Sequence, residues 1–183
     1  MTYSKIVLCG LRCTGKTTLF WNLQKQLAWP TFSVSQYLRD YIRTYHVSPY
    51  QVEQDSHKIT TDIDQRIQSL LTSPDHVIIE SRVFYLLRQS IPQTLKLLLT
   101  ASDNVRIKRS SEREQTDLIK AKTRLDKRET EFTQRMGQIY GFSDFFNPNY
   151  YDLVINTDLL TPDQVTAQVL QYLHLSSKTP THK

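Results

Sequence analysis

The sequence predicts an α/β fold: a three-layer α/β/α domain with a five-stranded parallel sheet and a helical lid. Three observations predict it. Short apolar runs suited to buried parallel strands recur at Ile6–Cys9, Thr31–Val34, His76–Glu80, Leu95–Leu99 and Leu153–Ile155. Segments with helical spacing or helix-start signals separate them, as crossover connections between parallel strands require. Between the first strand and the first helix lies Gly10-Leu11-Arg12-Cys13-Thr14-Gly15-Lys16-Thr17, which fits the phosphate-binding P-loop, G-x-x-x-x-G-K-[ST].

The first run, Ile6-Val7-Leu8-Cys9, reads as a buried strand ending at that loop. Gly10 and Gly15 permit positive φ, so successive N–H groups can curl around a β-phosphate at a helix N-terminus. Lys16, on what is expected to be a solvent-facing loop, supplies a cation to the β/γ-phosphates. The Thr17 hydroxyl can enter a Mg²⁺ shell. Leu19, Phe20, Leu23 and Leu27 then recur at helical spacing. Thr31–Val34 is the weakest strand, and the helix after it carries Arg39. Ser48-Pro49-Tyr50-Gln51 and Thr161-Pro162-Asp163-Gln164 each place a hydroxyl N-cap, proline at N1 and glutamine at N3. Ser102 caps the helix that follows the fourth strand. The expected order is βαβααβαβαβα, with the P-loop strand in the middle of the sheet. Residues 1–173 form one domain in this reading, and 174–183 a frayed tail.

Composition bounds the function. The 183 residues are 39% hydrophobic and 22% charged, as in an ordinary globular domain. No apolar run approaches the ~20 residues of a membrane helix, and Met1-Thr2-Tyr3-Ser4-Lys5 contains no signal-peptide apolar region. Cys9 and Cys13 lack the second cluster that a zinc site would need. A cytoplasmic protein with free thiols is expected.

The net charge of +5 is concentrated in residues 106–135, which hold ten Lys/Arg against six Asp/Glu. Three readings are open: a solvated helix laced with ion pairs, such as Glu131 with Arg135 or Arg128; a nucleic-acid face; or a lid closing over polyphosphate. The P-loop favours the lid, and no base-stacking motif accompanies the charge. Guanine-specific GTPases need Asn-Lys-x-Asp, which Asn156-Thr157-Asp158 echoes only superficially. A kinase for a small phosphorylated acceptor instead needs arginines opposite the P-loop. Arg39, Arg66 and Arg82 border the same strand ends, where ligands bind in open α/β sheets.

From the P-loop to about residue 170 the chain resembles the short cytidylate kinases, the (d)CMP kinase branch of the nucleoside monophosphate kinases. Ser33-Val-Ser-Gln-Tyr-Leu-Arg39 is similar to that family's Ser-x-Gly-x-x-x-Arg, and Ile63-Asp64-Gln65-Arg66 to its Ile-Asp-x-Arg. Tyr45–Val52 looks like its next helix-to-helix turn. Val77-Ile-Ile-Glu-Ser-Arg82 corresponds to its Val-x-x-Glu-Gly-Arg. Val105–Arg113 fits its lid entry, Arg128–Arg135 with Ile139-Tyr-Gly141 its lid helix, and Tyr151–Asp158 its last strand.

The resemblance implies ATP-dependent phosphoryl transfer to a nucleoside monophosphate, CMP or dCMP foremost. It implies Mg²⁺ with the ATP, and a monomer that uses neither membrane nor specific nucleic acid. It implies an acceptor region at about 33–72 and a lid at about 106–140. Gly10, Leu11, Arg12, Cys13, Thr14, Gly15, Lys16, Thr17 and Thr18 would hold the donor, with Arg113 near its adenine. Arg39 and Arg82 would grip the acceptor phosphate, and Ser33, Asp64 and Arg66 would lie near its nucleoside. Lys16, Arg128 and Arg135 would act on the transferring group. Thr17 would bind the metal, and Glu80 would reach it through water. Three family glycines are replaced, by Cys13, Ser35 and Ser81. Another small phosphorylated acceptor, or a nucleotide-binding regulator of weak turnover, are the alternatives.

Overall fold

The computed structural model describes residues 3–48, 52 and 56–178. The chain runs β1 (Lys5–Cys9), α1 (Lys16–Leu27), β2 (Thr31–Ser33), α2 (Val34–Tyr45), α3 (Ser56–Thr72), β3 (Val77–Glu80) and β4 (Thr94–Thr100). It continues through α4 (Asp103–Glu114), α5 (Leu118–Tyr140), a 3₁₀ turn (Pro148–Tyr150), β5 (Leu153–Asn156) and α6 (Pro162–Lys178). The strands form one parallel sheet in the order β2-β3-β1-β4-β5, with the P-loop strand at its centre.

Side-chain alternation along the central strand builds the three layers. Val7 and Cys9 face a core shared with Ile59, Ile63 and Ile67 of α3, Met136 of α5 and Phe145. Ile6 and Leu8 face the opposite core, with Leu19, Phe20 and Leu23 of α1 and Val165 and Val169 of α6. Since both faces are covered, β1 reads as an unbroken apolar run.

The helix-start signals at Ser102 and Thr161 are realised. The Ser102 hydroxyl accepts from the Val105 N–H at 3.5 Å. Thr161 and Gln164 form a reciprocal box, with Thr161 N–H to Gln164 Oε1 at 2.8 Å and Gln164 N–H to Thr161 Oγ1 at 3.3 Å. The third signal, over Ser48–Gln51, falls mostly outside the described residues.

The expected order needs correction at two places. Instead of a helix between β3 and β4 there are turns, closed by Leu87 N–H to Phe84 O at 3.2 Å and Gln89 N–H to Leu86 O at 3.0 Å. Residues 81–93 must recross the sheet, and i→i+3 turns advance further per residue than an α-helix. Between β4 and β5 stand two helices rather than one. Gln115, at φ +48°, ends α4, and the Asp117 carboxylate starts α5 by accepting from Lys120 N–H. Of the residues read as a frayed tail, 174–178 continue α6, and 179–183 lie outside the described residues. Tyr172 docks α6, stacking on Tyr3 and donating to Asp152 O. Among the described residues no helix is long and apolar enough to cross a membrane.

Candidate active site

The P-loop backbone is held from outside the motif. Gly10 sits at φ +144°, and a Cβ there would lie 2.3 Å from Leu99 O, so only glycine fits. Its N–H donates to Arg82 O at 3.2 Å, tying the loop to the Glu80-Ser81-Arg82 segment. Cys13 adopts φ +62°, the left-handed conformation that a glycine would take at no cost. In an L-residue this costs about 1–2 kcal/mol, and the surroundings oppose relaxation. Arg106 Nε donates to Arg12 O at 3.0 Å, and Arg109 Nη1 to Cys13 O at 3.2 Å. Arg109 also donates to Thr157 O at 2.7 Å, while the Thr157 hydroxyl donates to Thr14 O at 3.1 Å.

None of these braces was legible in the sequence. Arg106, Arg109 and Thr157 lie 94, 96 and 143 residues from the loop carbonyls they bind, and only the fold brings them together. Asp158, in the segment that echoes a base-reading motif, instead accepts from the Ser102 N–H at 2.7 Å.

Lys16 departs from expectation. It is the first residue of α1 and only 9% exposed, so the solvent-facing placement is wrong. The compactness of the loop folds its Nζ back onto Leu11 O, at 2.8 Å, beside the Thr14 hydroxyl bound to the same carbonyl. Burial lowers the ammonium to about 8, against the attraction of Glu80. Thr17 and Thr18 follow, exposed on the first turn of α1.

The acceptor side is organised around Glu80, buried at the end of β3. Its Oε2 accepts from Ser33 Oγ at 2.6 Å and from Ser35 Oγ at 3.0 Å. Ser33 also caps α2 by accepting from Gln36 N–H. The Ser35 hydroxyl, where the family has glycine, thus becomes a second anchor for the carboxylate. The Arg82 guanidinium lies 3.9 Å from the Phe132 ring centroid. Burial, then repulsion by Arg12, lowers it to about 10, with Glu129 opposing. Arg39 is held at the surface of α2 by Gln36 Oε1, 2.8 Å from Nη2. Burial pushes the Asp64 carboxyl up to about 6, although Tyr140 donates to it at 3.1 Å. Arg66 stands apart, 5.8 Å from the Phe32 ring centroid on the exposed side of α3.

Glu114, at the end of α4, gathers the basic helices. It takes Arg128 at 2.9 Å, Arg124 at 3.2 Å and Arg113 at 3.7 Å. Burial works against its charge, but hydrogen bonds from Arg124 and Arg128 outweigh that and hold the carboxyl below its ordinary range. One carboxylate facing three guanidiniums leaves the cluster cationic.

These parts meet in one cleft of about 980 Å³. Arg12, Cys13 and Gly15–Thr18 line one side, and Ser35, Arg39, Asp64, Glu80 and Arg82 another. Arg109, Arg113, Arg128 and Arg135 also line it. Gly10, Leu11 and Thr14 form the back of the loop, Ser33 reaches the cleft through Glu80, and Arg66 is not among its lining residues.

A P-loop at the centre of a parallel sheet, facing a cleft of converging arginines, defines a phosphotransferase of the kinase type. The sequence profile of the cytidylate kinase-like family matches residues 25–159, and the chain belongs to that family. A cytidylate kinase of Methanobrevibacter smithii is 31% identical over 171 residues, covering 92% of this chain and 97% of the relative. Another, from Sulfurisphaera tokodaii, is 28% identical over 172 residues, covering 92% and 94%.

An S-adenosylmethionine-dependent nucleotide dehydratase of Lacinutrix mariniflava is 28% identical over 95% of this chain, which spans only 37% of that protein's length. Among solved structures, an uncharacterized protein from Eubacterium ventriosum superposes with a TM-score of 0.71 at 16% identity, covering 93% of this chain and 98% of that one. Shikimate kinase from Aquifex aeolicus gives 0.60 at 16% identity, covering 96% and 99%. These structural likenesses concern the fold.

Proposed function

We propose that the chain transfers the γ-phosphoryl group of ATP to a nucleoside monophosphate, CMP or dCMP foremost, giving the diphosphate and ADP. The observation that supports this reading is the cleft that the P-loop shares with Arg39, Arg82, Arg128 and Arg135. Such a reaction asks the protein mainly for positioning and charge neutralisation.

ATP phosphates lie along Gly10–Thr18, where the loop N–H groups and the α1 N-terminus converge. Lys16 leaves Leu11 O for the β/γ-phosphates, exchanging a neutral partner for an anionic one. Arg82 and Arg39 hold the acceptor phosphate, and the Asp64–Tyr140 pair faces its nucleoside. No general base is required, because the attacking acceptor oxygen is already anionic. The Thr17 hydroxyl and Glu80 carboxylate form an oxygen-only donor set suited to Mg²⁺, which keeps several waters. When bound, Mg²⁺ neutralises phosphate charge. Glu80, fixed by two serine hydroxyls, would reach it through water.

The lid in this reading is narrower than 106–140. Arg106 and Arg109 are fastened to the loop, so closure belongs to the α4–α5 junction carrying Arg113, Glu114, Arg124 and Arg128. Phosphates would draw these arginines from Glu114 and exclude water from the cleft. The protein is proposed to act as a cytoplasmic monomer, with ATP and the monophosphate as its partners. ADP release measured with CMP, dCMP, UMP, AMP and GMP tests the reading. Selective turnover supports it, and ATP binding without turnover leaves the regulator.

The likeness over 95% of this chain to part of a nucleotide dehydratase favours a second, compatible reading. The phosphorylated nucleotide made here is supplied to a nucleotide-dehydrating enzyme. Products of this chain that such an enzyme cannot use, directly or after a further phosphorylation, would oppose it.

A further inference from the structure

We propose that Arg12 is a catalytic residue whose guanidinium binds the phosphoryl group in transit between ATP in the loop and the acceptor at Arg82. The proposal rests on the kinase reading above and adds to it a side-chain role within the loop beside those of Lys16 and Thr17.

Three observations lead there. The Arg12 side chain lines the cleft, from a backbone held in place by Arg106 Nε on its carbonyl at 3.0 Å. Its Nε is buried and has no hydrogen-bond partner. Its guanidinium pairs with no carboxylate among the described residues, whereas Arg113, Arg124 and Arg128 share Glu114. A surface arginine would keep Nε in water, and a structural one would give it an acceptor.

The electrostatics point the same way. Burial, then repulsion by Arg128 and Arg113, makes the Arg12 charge harder to hold, and Arg12 in turn is the foremost charge repelling Arg82. Arg12 therefore shares its repulsion with the lid arginines Arg113 and Arg128 and with the acceptor arginine Arg82. A multiply charged anion beside Arg12 relieves every one of these repulsions.

The chemistry balances without a further reactant. The bond from the γ-phosphorus to the β,γ-bridging oxygen breaks, and its electron pair leaves with ADP. An anionic oxygen of the acceptor monophosphate forms the new bond to the same phosphorus. Charge spreads over the three equatorial oxygens meanwhile, and a planar guanidinium fork can bind two of them.

The test measures kcat, ATP affinity, and the gain in ADP affinity when tetrafluoroaluminate, a mimic of the transferring group, is added. For Arg12→Met the expected result is a kcat lower by about a hundredfold or more, ATP affinity changed less than about threefold, and the fluoroaluminate gain lost. Arg12→Lys should recover only part, since an ammonium lacks the fork. Thermal unfolding checks that the variants fold, and if Arg12→Met does not, Arg12→Lys decides alone. A kcat within about threefold of wild type, or an equal loss of ATP and fluoroaluminate binding, overturns the proposal. The fluoroaluminate readout needs no acceptor. A wild-type protein that phosphorylates no monophosphate would sink the kinase reading and still leave Arg12 judged by that gain.

Discussion

Replacing Lys16 by methionine should make the ligand-free protein more stable and inactive at once. Burial brings the ammonium from its ordinary 10.5 down to about 8, and each unit corresponds to about 1.4 kcal/mol. Holding Lys16 charged at pH 7 therefore costs the folded state about 3 kcal/mol. Methionine keeps the apolar stem but forfeits the charged hydrogen bond to Leu11 O, about 1.5–3 kcal/mol, leaving a net gain of up to about 1.5 kcal/mol.

The pH dependence is specific to this cause. Between pH 8 and 10.5 the unfolded chain binds a proton that the folded chain does not, so wild-type stability rises across that window. The advantage of Lys16→Met should thus be full below pH 8, be gone by about pH 9 and turn into a deficit by about pH 10.5, where only the lost hydrogen bond counts. Urea unfolding at pH 7 and pH 9.5, with and without ATP, reads both. ATP should stabilise the wild type and not the variant, and phosphoryl transfer should fall by about 3–4 kcal/mol in barrier. A variant less stable than wild type at pH 7, by a margin that pH does not change, would refute the reasoning.

Three further outcomes are expected. Arg82→Ala should raise the KM for the monophosphate while ATP affinity stays within a few-fold, and Arg39→Ala should do the same more weakly, since Arg39 is exposed. If both instead weaken ATP binding and spare the acceptor, the two pockets are assigned in reverse. Gly10→Ala should lose at least about 1–3 kcal/mol in denaturant unfolding, because the new Cβ meets the Leu99 carbonyl at 2.3 Å; native-like stability would show that the loop can shift. In hydrogen exchange, amides around Arg106 and Arg109 should be slow with or without ligand, and those from Glu114 to Arg128 should slow only when both nucleotides are bound. Uniformly slow exchange without ligand would mean a rigid hairpin.

Local signals made the fold legible where they were strong. The five apolar runs became the five strands, and the Thr161–Gln164 box starts α6 as read. Residues 81–93 misled because a crossover between parallel strands is expected to be helical, whereas here Val83, Phe84 and Leu87 are buried along a chain of turns. The basic segment 106–135 read as one lid because its charge is continuous, whereas the break lies at Gln115, an unremarkable residue in a left-handed conformation.

At the site, the P-loop, Arg39, Asp64 and Arg82 were legible from motif order. Arg106, Arg109, Glu114 and Thr157 were not, since their partners are distant in sequence. A buried Arg106 on a strongly basic helix looks like any other surface cation until the fold places Arg12 O beside it.

The most direct test of the account is the rate of ADP formation from ATP as a function of the monophosphate offered. Rapid turnover is expected with CMP or dCMP, slower turnover with UMP, and little with AMP, GMP or no acceptor. Arg82→Ala should move the acceptor dependence to higher monophosphate concentration while ATP still binds. ATP binding of normal strength with no acceptor-dependent ADP release from any monophosphate would contradict it.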